Sequence, residues 1–405
     1  MKVLILGGAG DVGRHAVDAA AKSDLIERVV IGERDVNGAE AVAAEHDGRV
    51  AVCRLDVAED RSLDDALALC DVVLSCFGPY YRHGARVLSA AIRAGRHYLD
   101  VCDDWEPTLD MLALDGAARQ AGVTAIIGIG ASPGVTNLLA AAAHRTLDRV
   151  DALHTLWGIG DLRSPQMAEV DKSTRSALEH WLQQARGTIR VRREGAMVDV
   201  PSLAEQDVVF PGIGRVHCHA LGHPEPVTLP LTYPEIRDSL NLMNFPAPII
   251  AALRKTVARL DRGAIDMVTA VSELEVRLGE GPGIAALWGG ARVWAAIIAD
   301  QMRGVVYTPD LCALAIGQKD GRRASAGAWL DGYLPGGTGG ATGVPLIAAL
   351  EMLAMGEITR RGAFAPEAGI DPDRFVNRLE RYATRFDTDG AEPFLRINVG
   401  LADGG

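Results

Sequence analysis

Short apolar segments alternate with helix-like segments through the first 130 residues of the chain. The apolar segments run continuously instead of alternating with polar residues, which is typical of strands buried on both faces of a parallel sheet. Helices between such strands cover both faces of the sheet and give the doubly wound α/β arrangement. The predicted strands are Val3–Leu6, Arg28–Ile31, Val50–Arg54, Val72–Cys76, His97–Val101 and Val123–Ile127. The predicted helices are Gly13–Ala21, Gly38–His46, Leu63–Leu69, Gly84–Ala94 and Met111–Ala121.

The pattern changes after about Ser132, where a long helix over Pro133–Thr146 is predicted. Short turns such as Arg193–Gly195 join several of the later strands, which favours antiparallel pairing and an α+β domain. The strands predicted there are Asp151–Trp157, Thr188–Arg192, Ala196–Val200, Arg215–Ala220, Met267–Leu278 and Arg303–Tyr307, with helices at Thr174–Ala185 and Ala247–Leu260. A closing helix is predicted at Pro345–Gly356, followed by a polar tail.

A glycine-rich loop between the first strand and the first helix predicts a dinucleotide site. Gly8, Gly10 and Gly13 have the GxGxxG spacing, with Asp11 and Val12 between the last two glycines. Glycines permit the tight turn and the close approach of the backbone to a pyrophosphate, and the helix N-terminus supplies free N–H groups. The carboxylate of Asp11 is unfavourable beside a pyrophosphate unless it points away.

Three residues after the second and third strands bear on the choice of cofactor. Glu33 ends the second strand, where a carboxylate can accept both ribose hydroxyls, and this weakly favours NAD over NADP. Arg34 follows directly and can instead hold a 2′-phosphate. Asp56 follows the third strand and either borders the adenine site or is a solvated loop acid.

Aromatic residues follow the fourth strand, where a doubly wound sheet binds its ligands. Phe77 and Gly78 are expected to run beside the nicotinamide. Tyr80 and Tyr81 can donate hydrogen bonds or stack there, although two packed aromatic side chains would give the same pattern.

Three carboxylates crowd the end of the fifth strand: Asp100, Asp103 and Asp104. Crowding can raise one carboxyl pKa toward neutrality and suit it to proton exchange, for which Asp100 is the first candidate. The alternative for Asp103 or Asp104 is N-capping of the next helix. Ser132 can cap the long helix, with Pro133 in its first turn.

Histidines in the second half resemble metal ligands at first sight. His217 and His219 share one face of a predicted strand, and His223 follows closely. No carboxylate at matching spacing completes a set, so no metal is predicted. The histidines then have a structural role, or His219 contacts the substrate.

Composition narrows the class of partner. The formal net charge of −12 argues against nucleic acid or an anionic membrane as the main partner. Six cysteines without CxxC spacing predict reduced thiols and a cytoplasmic location, and the short apolar opening MKVLILGGAG does not fit a signal peptide. The uncharged stretches Val123–Ala143 and Gly332–Leu350 contain glycines and prolines that favour loop–helix structure over a membrane span.

Taken together, these motifs resemble the saccharopine dehydrogenase-like family, closest to its lysine ε-dehydrogenase and saccharopine reductase branch. Their order and spacing carry the resemblance over nearly the whole chain. The matching segments are GGAGDVG at Gly7–Gly13, FGPYYRHG at Phe77–Gly84, AGRHYLDVCDD at Ala94–Asp104, GASPGVTNLLA at Gly130–Ala140, VPSLAE at Val200–Glu205, CHALGH at Cys218–His223 and GEITRRGAFAPE at Gly356–Glu367.

The resemblance implies three parts of the polypeptide: a Rossmann domain at 1–131, an α+β domain for substrate binding and dimerisation at 132–340, and a segment at 341–405 that packs back on the Rossmann domain. It also implies a homodimer and NAD(P)-linked interconversion of an amine and an imine. By the same resemblance, Tyr80 and Asp100 line the reaction cleft.

The sequence therefore predicts an NAD(P)-dependent oxidoreductase that acts on the CH–NH bond of an amino acid or related amine. Tyr80, Asp100 and His219 are its candidate catalytic residues. Two alternatives stay open: a dinucleotide-binding protein without turnover, and a carbonyl reductase on the same fold.

Overall fold

The computed structural model describes residues 1–160, 175–279, 283–387, 389 and 391–401. These residues form two compact units. The first consists of Met1–Leu138 and Asp331–Phe394, and the second of Leu139–Leu330 and Leu395–Gly405 as far as they are described. Each unit is therefore built from two separate stretches of the sequence.

The first unit contains a seven-stranded sheet in which every pair of neighbours is parallel, which confirms the predicted doubly wound sheet. Its strands, in spatial order, are β16 (Gly362–Phe364), β6 (Thr124–Ile126), β5 (His97–Asp100), β4 (Val72–Ser75), β1 (Lys2–Leu6), β2 (Arg28–Glu33) and β3 (Val50–Arg54). Apolar side chains of this sheet, such as Leu4, Val73 and Tyr98, are buried in one cluster. The seventh strand, β16, comes from the C-terminal part of the sequence and was not predicted.

Helices of the first unit connect these strands and add a C-terminal pair. They are α1 (Asp11–Lys22), α2 (Val36–Ala44), α3 (Asp60–Leu67), α4 (Tyr80–Arg93), α5 (Trp105–Leu112), α6 (Asp115–Gln120), α13 (Gly337–Ala354) and α14 (Pro372–Leu379). A small two-stranded sheet pairs β15 (Gly332–Tyr333) with β17 (Thr384–Arg385). Helix α7 (Val135–His144) leads from the first unit into the second.

The second unit is built on a mixed, mainly antiparallel sheet. Its strands, in spatial order, are β10 (Glu205–Phe210), β11 (Gly214–Leu221), β12 (Asn241–Met243), β7 (Arg149–Trp157), β13 (Leu311–Lys319), β14 (Arg322–Leu330) and β18 (Leu395–Leu401). A separate hairpin pairs β8 (Thr188–Arg193) with β9 (Ala196–Pro201) through the turn predicted at Arg193–Gly195. The described helices are α8 (Arg175–Gln184), α9 (Glu225–Thr232), α10 (Ala247–Asp261), α11 (Met267–Leu278) and α12 (Ile284–Met302).

Two predicted strands of the second unit are wrong. Residues Met267–Leu278 form helix α11, because Asp266 caps its N-terminus by accepting from the Thr269 N–H at 2.8 Å and Gly279 ends it at φ 91°. Residues Arg303–Tyr307 form no strand, because the Tyr307 hydroxyl bonds back to Asp300 on the preceding helix α12. Thr174, the first residue of another predicted helix, lies outside the described residues.

The helix starts predicted at Pro133 and Pro345 also differ from the structure. Helix α7 begins at Val135 instead of Pro133, because Gly134 has φ +124° and donates its N–H to the Asn137 side chain at 2.8 Å. Ser132 is therefore not its N-cap. Helix α13 begins at Gly337 instead of Pro345 and contains that proline. Among the described residues, no helix is both long enough and apolar enough to cross a membrane.

The glycines at the start of α13 allow it to pack closely on α1. A Cβ added at Gly343 would lie 2.4 Å from the carbonyl oxygen of Val12, and one at Gly339 would lie 2.6 Å from the Asp11 carboxylate. At the other end of the contact, the Ser23 hydroxyl donates to the buried Glu351 carboxylate at 2.6 Å. Helix α13 thus holds both ends of the helix that follows the glycine loop.

We expect Gly343→Ala to lower the stability of the protein and weaken dinucleotide binding, because the new methyl group must push α1 away. The expected loss of unfolding free energy is about 1–3 kcal/mol, as for other overpacked contacts. Denaturant unfolding and dinucleotide titration measure the two effects. The matched control is Gly116→Ala in α6, where an added Cβ meets nothing within 4 Å. Equal behaviour of the two variants would show that the close contact is not needed.

Candidate active site

The turn between β1 and α1 has the geometry of a dinucleotide-binding loop. Gly7 has φ +74°, and a Cβ at Gly13 would lie 2.0 Å from the Gly7 carbonyl oxygen. The Gly10 N–H donates to that same oxygen at 3.0 Å, and Gly10 is the N-cap of α1. A Cβ at Gly8 would meet the Ile31 side chain at 2.9 Å. Gly7, whose positive φ makes the turn possible, was not among the predicted cofactor-binding residues.

The positions of Asp11 and Val12 follow from the packing of α1 on α13. The Asp11 carboxylate lies against Gly339 in the first turn of α13, and the Val12 carbonyl lies against Gly343. The positive end of the helix dipole at that first turn favours a carboxylate. The Asp11 carboxylate therefore has a structural role at the start of α13, which agrees with the expectation that it points away from a bound pyrophosphate.

Glu33 is tied to the glycine loop. Its Oε1 accepts a hydrogen bond from the Ala9 N–H at 3.2 Å. Burial raises the pKa of Glu33 above its usual value, and the Ala9 hydrogen bond partly offsets this effect. Arg34 is exposed and has no hydrogen bond or ion pair with the described residues. Arg54 on β3 is the register partner of Glu33 in the parallel sheet.

The loops after β3 and β4 lie at the carboxyl ends of the parallel strands, as the glycine loop does. Asp56 accepts from the Ala58 N–H at 2.9 Å and so shapes its own turn. The Cys76 N–H donates to the Leu6 carbonyl at 2.9 Å, and the Cys76 carbonyl faces Gly7, which sets Phe77 and Gly78 beside the glycine loop. Phe77 packs its ring 5.4 Å from the ring of His83.

Tyr80 is buried and bonded between two strand ends. Its hydroxyl donates to the Ser75 carbonyl at 2.6 Å and accepts from the Val101 N–H at 3.4 Å. Burial and the nearby Asp100 raise the pKa of Tyr80 well above its usual range. These contacts connect the end of β4 with the end of β5. Tyr81, by contrast, is 60% exposed.

Asp100 is fully buried at the end of β5. Its Oδ1 accepts from the Gly128 N–H at 2.7 Å and from the Cys102 N–H at 3.1 Å, so it holds together the loops after β5 and β6. Burial raises the pKa of Asp100 to about 7, although these two hydrogen bonds favour the carboxylate. The backbone of Asp104 caps α5 without a hydrogen bond from its side chain to the helix.

A buried polar pair fixes the start of α7 and was missed by the sequence analysis. The Asn137 side chain accepts from the Gly134 N–H and donates to Glu367 Oε2 at 2.9 Å. Glu367 ends the motif GEITRRGAFAPE, so the segment that follows β16 helps to shape the strand-end loops of the first unit. The signal available in the sequence was that Asn137 and Glu367 are polar residues within largely apolar segments.

His219 lies in the second unit, on β11. Burial lowers the pKa of His219 to about 4, and the positive charges of Arg254 and His217 act in the same direction. His217 bonds to Asp207 at 2.7 Å on the same sheet. His223 does not belong to this group, because it is fully buried and pairs with Glu225 at 2.9 Å.

The fold and the glycine loop define an α/β dinucleotide-binding protein with a second α+β unit. Residues 3–126 match the family model described as Saccharopine dehydrogenase NADP binding domain. For this segment, the resemblance to the saccharopine dehydrogenase-like family that the motifs predict is thereby confirmed.

Two curated relatives each match 37% of the chain. Saccharopine dehydrogenase [NADP(+), L-glutamate-forming] of Pyricularia oryzae is 31% identical over 153 residues, which are 37% of this chain and 31% of the relative. The Saccharomyces cerevisiae protein of the same name is 34% identical over 149 residues, again 37% and 31% of the two proteins. The matched segment thus spans less than a third of either relative.

A solved structure extends the likeness in fold to both units. Apo saccharopine dehydrogenase (L-Glu forming) from Saccharomyces cerevisiae superposes with a TM-score of 0.62 at 17% identity. The superposition covers 98% of this chain and 99% of the yeast protein. It confirms the predicted fold class of a Rossmann domain joined to an α+β domain. The domain bounds predicted at 131 and 340 stay a prediction.

We expect Asp100→Asn to remove a pH dependence of stability. A carboxyl whose pKa rises from 3.8 in the unfolded state to about 7 in the folded protein stabilises the fold below about pH 4 and loses that contribution as pH rises through 7. The amide does not ionise. Between pH 4 and 7 the variant should therefore gain on the wild type by at most about 1.4 kcal/mol per pH unit.

Urea unfolding across this pH range measures the difference. The control is Asp65→Asn, whose carboxyl side chain is 77% exposed on α3. Parallel stability curves for the wild type and the Asp100→Asn protein would contradict the raised pKa.

Proposed function

We propose that this protein is an NADP-dependent oxidoreductase acting on the CH–NH bond of an amino acid or related amine. The observation that carries the proposal is the glycine loop of the first unit, in a segment that matches the family model of an NADP-binding domain. The fold shared with yeast saccharopine dehydrogenase over both units supports it.

The first unit fits a dinucleotide. Gly8 and Gly10 place no side chain beside the N-terminus of α1, so a pyrophosphate can approach the backbone N–H groups of the first turn of this helix. When bound, the nicotinamide supplies hydride transfer. The protein's own part is to hold the phosphates at α1 and to shape the strand ends beside the ring through Tyr80 and Asp100.

The proton-handling role expected for Tyr80, Asp100 and His219 stays a prediction. The contacts of the first two favour a positioning role. Tyr80 already donates its only hydroxyl proton to Ser75, and Asp100 is closed off from solvent by the loops that it joins. Loss of either side chain would then act through the loops after β4, β5 and β6.

Preference for NAD is not supported by the comparisons, which favour NADP. We propose that Arg34 is the partner of the 2′-phosphate, because it is exposed directly after β2 and has no partner among the described residues. The Glu33 carboxylate already accepts a hydrogen bond from the Ala9 N–H, so its negative charge is partly balanced within the protein.

A substrate screen tests the activity. The purified protein is mixed with NADP or NAD and with saccharopine, then with other amino acids and amines, and finally with ketones in the presence of reduced cofactor. Growth of the reduced-nicotinamide absorbance with saccharopine, together with formation of L-glutamate, is the expected result. Turnover of ketones alone would identify a carbonyl reductase, and binding of NADP without any turnover would identify a non-catalytic dinucleotide-binding protein.

We also propose a homodimer through helix α12. A stripe of large apolar side chains along one side of this helix is 41–84% exposed, which is unusual for a surface that only meets water. Its members are Ile284, Leu287, Trp288, Trp294, Ile298 and Met302. Light scattering on the purified protein tests this proposal.

We expect Arg34→Ala to weaken NADP binding roughly tenfold or more and to leave NAD binding unchanged, because one charge-assisted contact to the 2′-phosphate is lost. Titration with both dinucleotides measures the effect. The matched control is Arg28→Ala, an exposed arginine at the opposite end of the same strand, which should alter neither affinity. Equal weakening for NAD and NADP would show that Arg34 does not recognise the 2′-phosphate.

A further inference from the structure

Four polar side chains share one face of the β10–β11 hairpin. Glu205 is the direct register partner of His219, and Asp207 is the direct partner of His217. Because side chains alternate between the two faces of a strand, all four project to the same side. Directly opposed side chains lie about 4.5–5.5 Å apart at Cβ, so the two pairs form one compact cluster.

The cluster has the composition of a metal site. Ligand atoms of Glu205, His217 and His219 all lie within 4.8 Å of one another. Two imidazoles and a carboxylate are a donor set that zinc and similar divalent transition metals accept. The intervening Cys218 does not take part, because it projects to the opposite face into an apolar cluster.

Asp207 supplies the outer contact that such a site needs. Its carboxylate lies 2.7 Å from His217 Nδ1. A proton on Nδ1 in this hydrogen bond leaves the lone pair of Nε2 free to bind a metal, and metal-binding histidines commonly make this second contact to a carboxylate. His217 is therefore oriented before any ion arrives.

His219 points to a ligand independently of the donor set. The residue is only 7% exposed, and its Nδ1 atom is buried with no hydrogen-bond partner among the described residues. A buried polar atom without a partner costs free energy. A metal ion in the cluster gives the imidazole a partner that the protein does not provide.

We propose that Glu205, His217 and His219 bind a divalent transition metal ion such as Zn²⁺, with Asp207 orienting His217. Three protein ligands leave at least one coordination position for water or for a small ligand. Sequence spacing did not show this site, because the carboxylate comes from the neighbouring strand and lies fourteen residues before His219.

Arg254 on α10 competes with the metal. Its Nη2 atom lies 3.2 Å from Glu205 Oε1 and 3.0 Å from the Leu203 carbonyl oxygen. A metal ion that binds Glu205 must share this carboxylate with the guanidinium or displace it. Replacement of Arg254 by methionine should therefore tighten metal binding, which is the opposite of what loss of a structural contact would do.

The test is calorimetric titration of the full-length protein with Zn²⁺ after chelator treatment, with any affinity tag removed. The expected result is one Zn²⁺ per protomer. His217→Ala and His219→Ala should weaken binding on the order of a hundredfold or more, and Asp207→Asn about 10–100-fold. Arg254→Met should strengthen it.

The matched control is His144→Ala, which removes another histidine that is paired with a glutamate, Glu235 at 2.8 Å. Melting curves without metal identify any variant that fails to fold, and the half-exposed His217 keeps the test valid if His219 is needed for folding. Absence of stoichiometric binding, unchanged affinity in a folded His217→Ala protein, or equal weakening in the control would overturn the proposal. None of these readouts depends on turnover.

Discussion

Close contact between glycine backbones is the constraint on which the first unit depends. Helix α1 begins where Gly13 packs on the carbonyl of Gly7, and its other side meets Gly343 of α13. Neither approach leaves room for a side chain. The helix is therefore fixed from two sides, and its N-terminus points backbone N–H groups at a defined place. That arrangement presents a dinucleotide with a prepared loop instead of one that must order on binding.

Buried polar groups connect the strand ends around this loop. Glu33 holds Ala9, Tyr80 joins the ends of β4 and β5, and Asp100 joins the loops after β5 and β6. Each contact links a side chain to a backbone group of a neighbouring loop. The strand-end surface is therefore shaped by hydrogen bonds whose loss would disturb several loops at once.

Local patterns predicted the parallel sheet well, because its strands are apolar, short and separated by helices. They failed where tertiary contacts decide the structure. The segment MVTAVSELEVRL contains β-branched residues that favour a strand, yet a capping aspartate, a terminal glycine and packing of Ala270, Val271 and Leu274 make it a helix. Strand β16 has only three residues. The other six strands of its sheet all lie before residue 127 in the sequence, and no local pattern shows that β16 pairs with the last of them, β6.

The site was predicted only in part, because some of its residues are defined by contacts between distant parts of the sequence. GxGxxG is a local motif, so its loop was recognisable, whereas Gly7 is needed because of a contact with Cys76 that lies far along the sequence. Likewise, Glu205 and His219 are neighbours only across a hairpin, and the hydrogen bond from Asn137 to Glu367 spans 230 residues.

The discontinuous first unit has a consequence for synthesis of the protein. Strand β6 pairs with β16 on its outer side, but β16 is made more than two hundred residues later. Until then the growing polypeptide exposes β6 as an open sheet edge, which is a template for pairing with other molecules. Helix α1 likewise waits for α13. The nascent Rossmann domain must therefore remain incomplete while the long first stretch of the second unit, Leu139–Leu330, leaves the ribosome. Protection of that edge by a chaperone would be most useful during this interval.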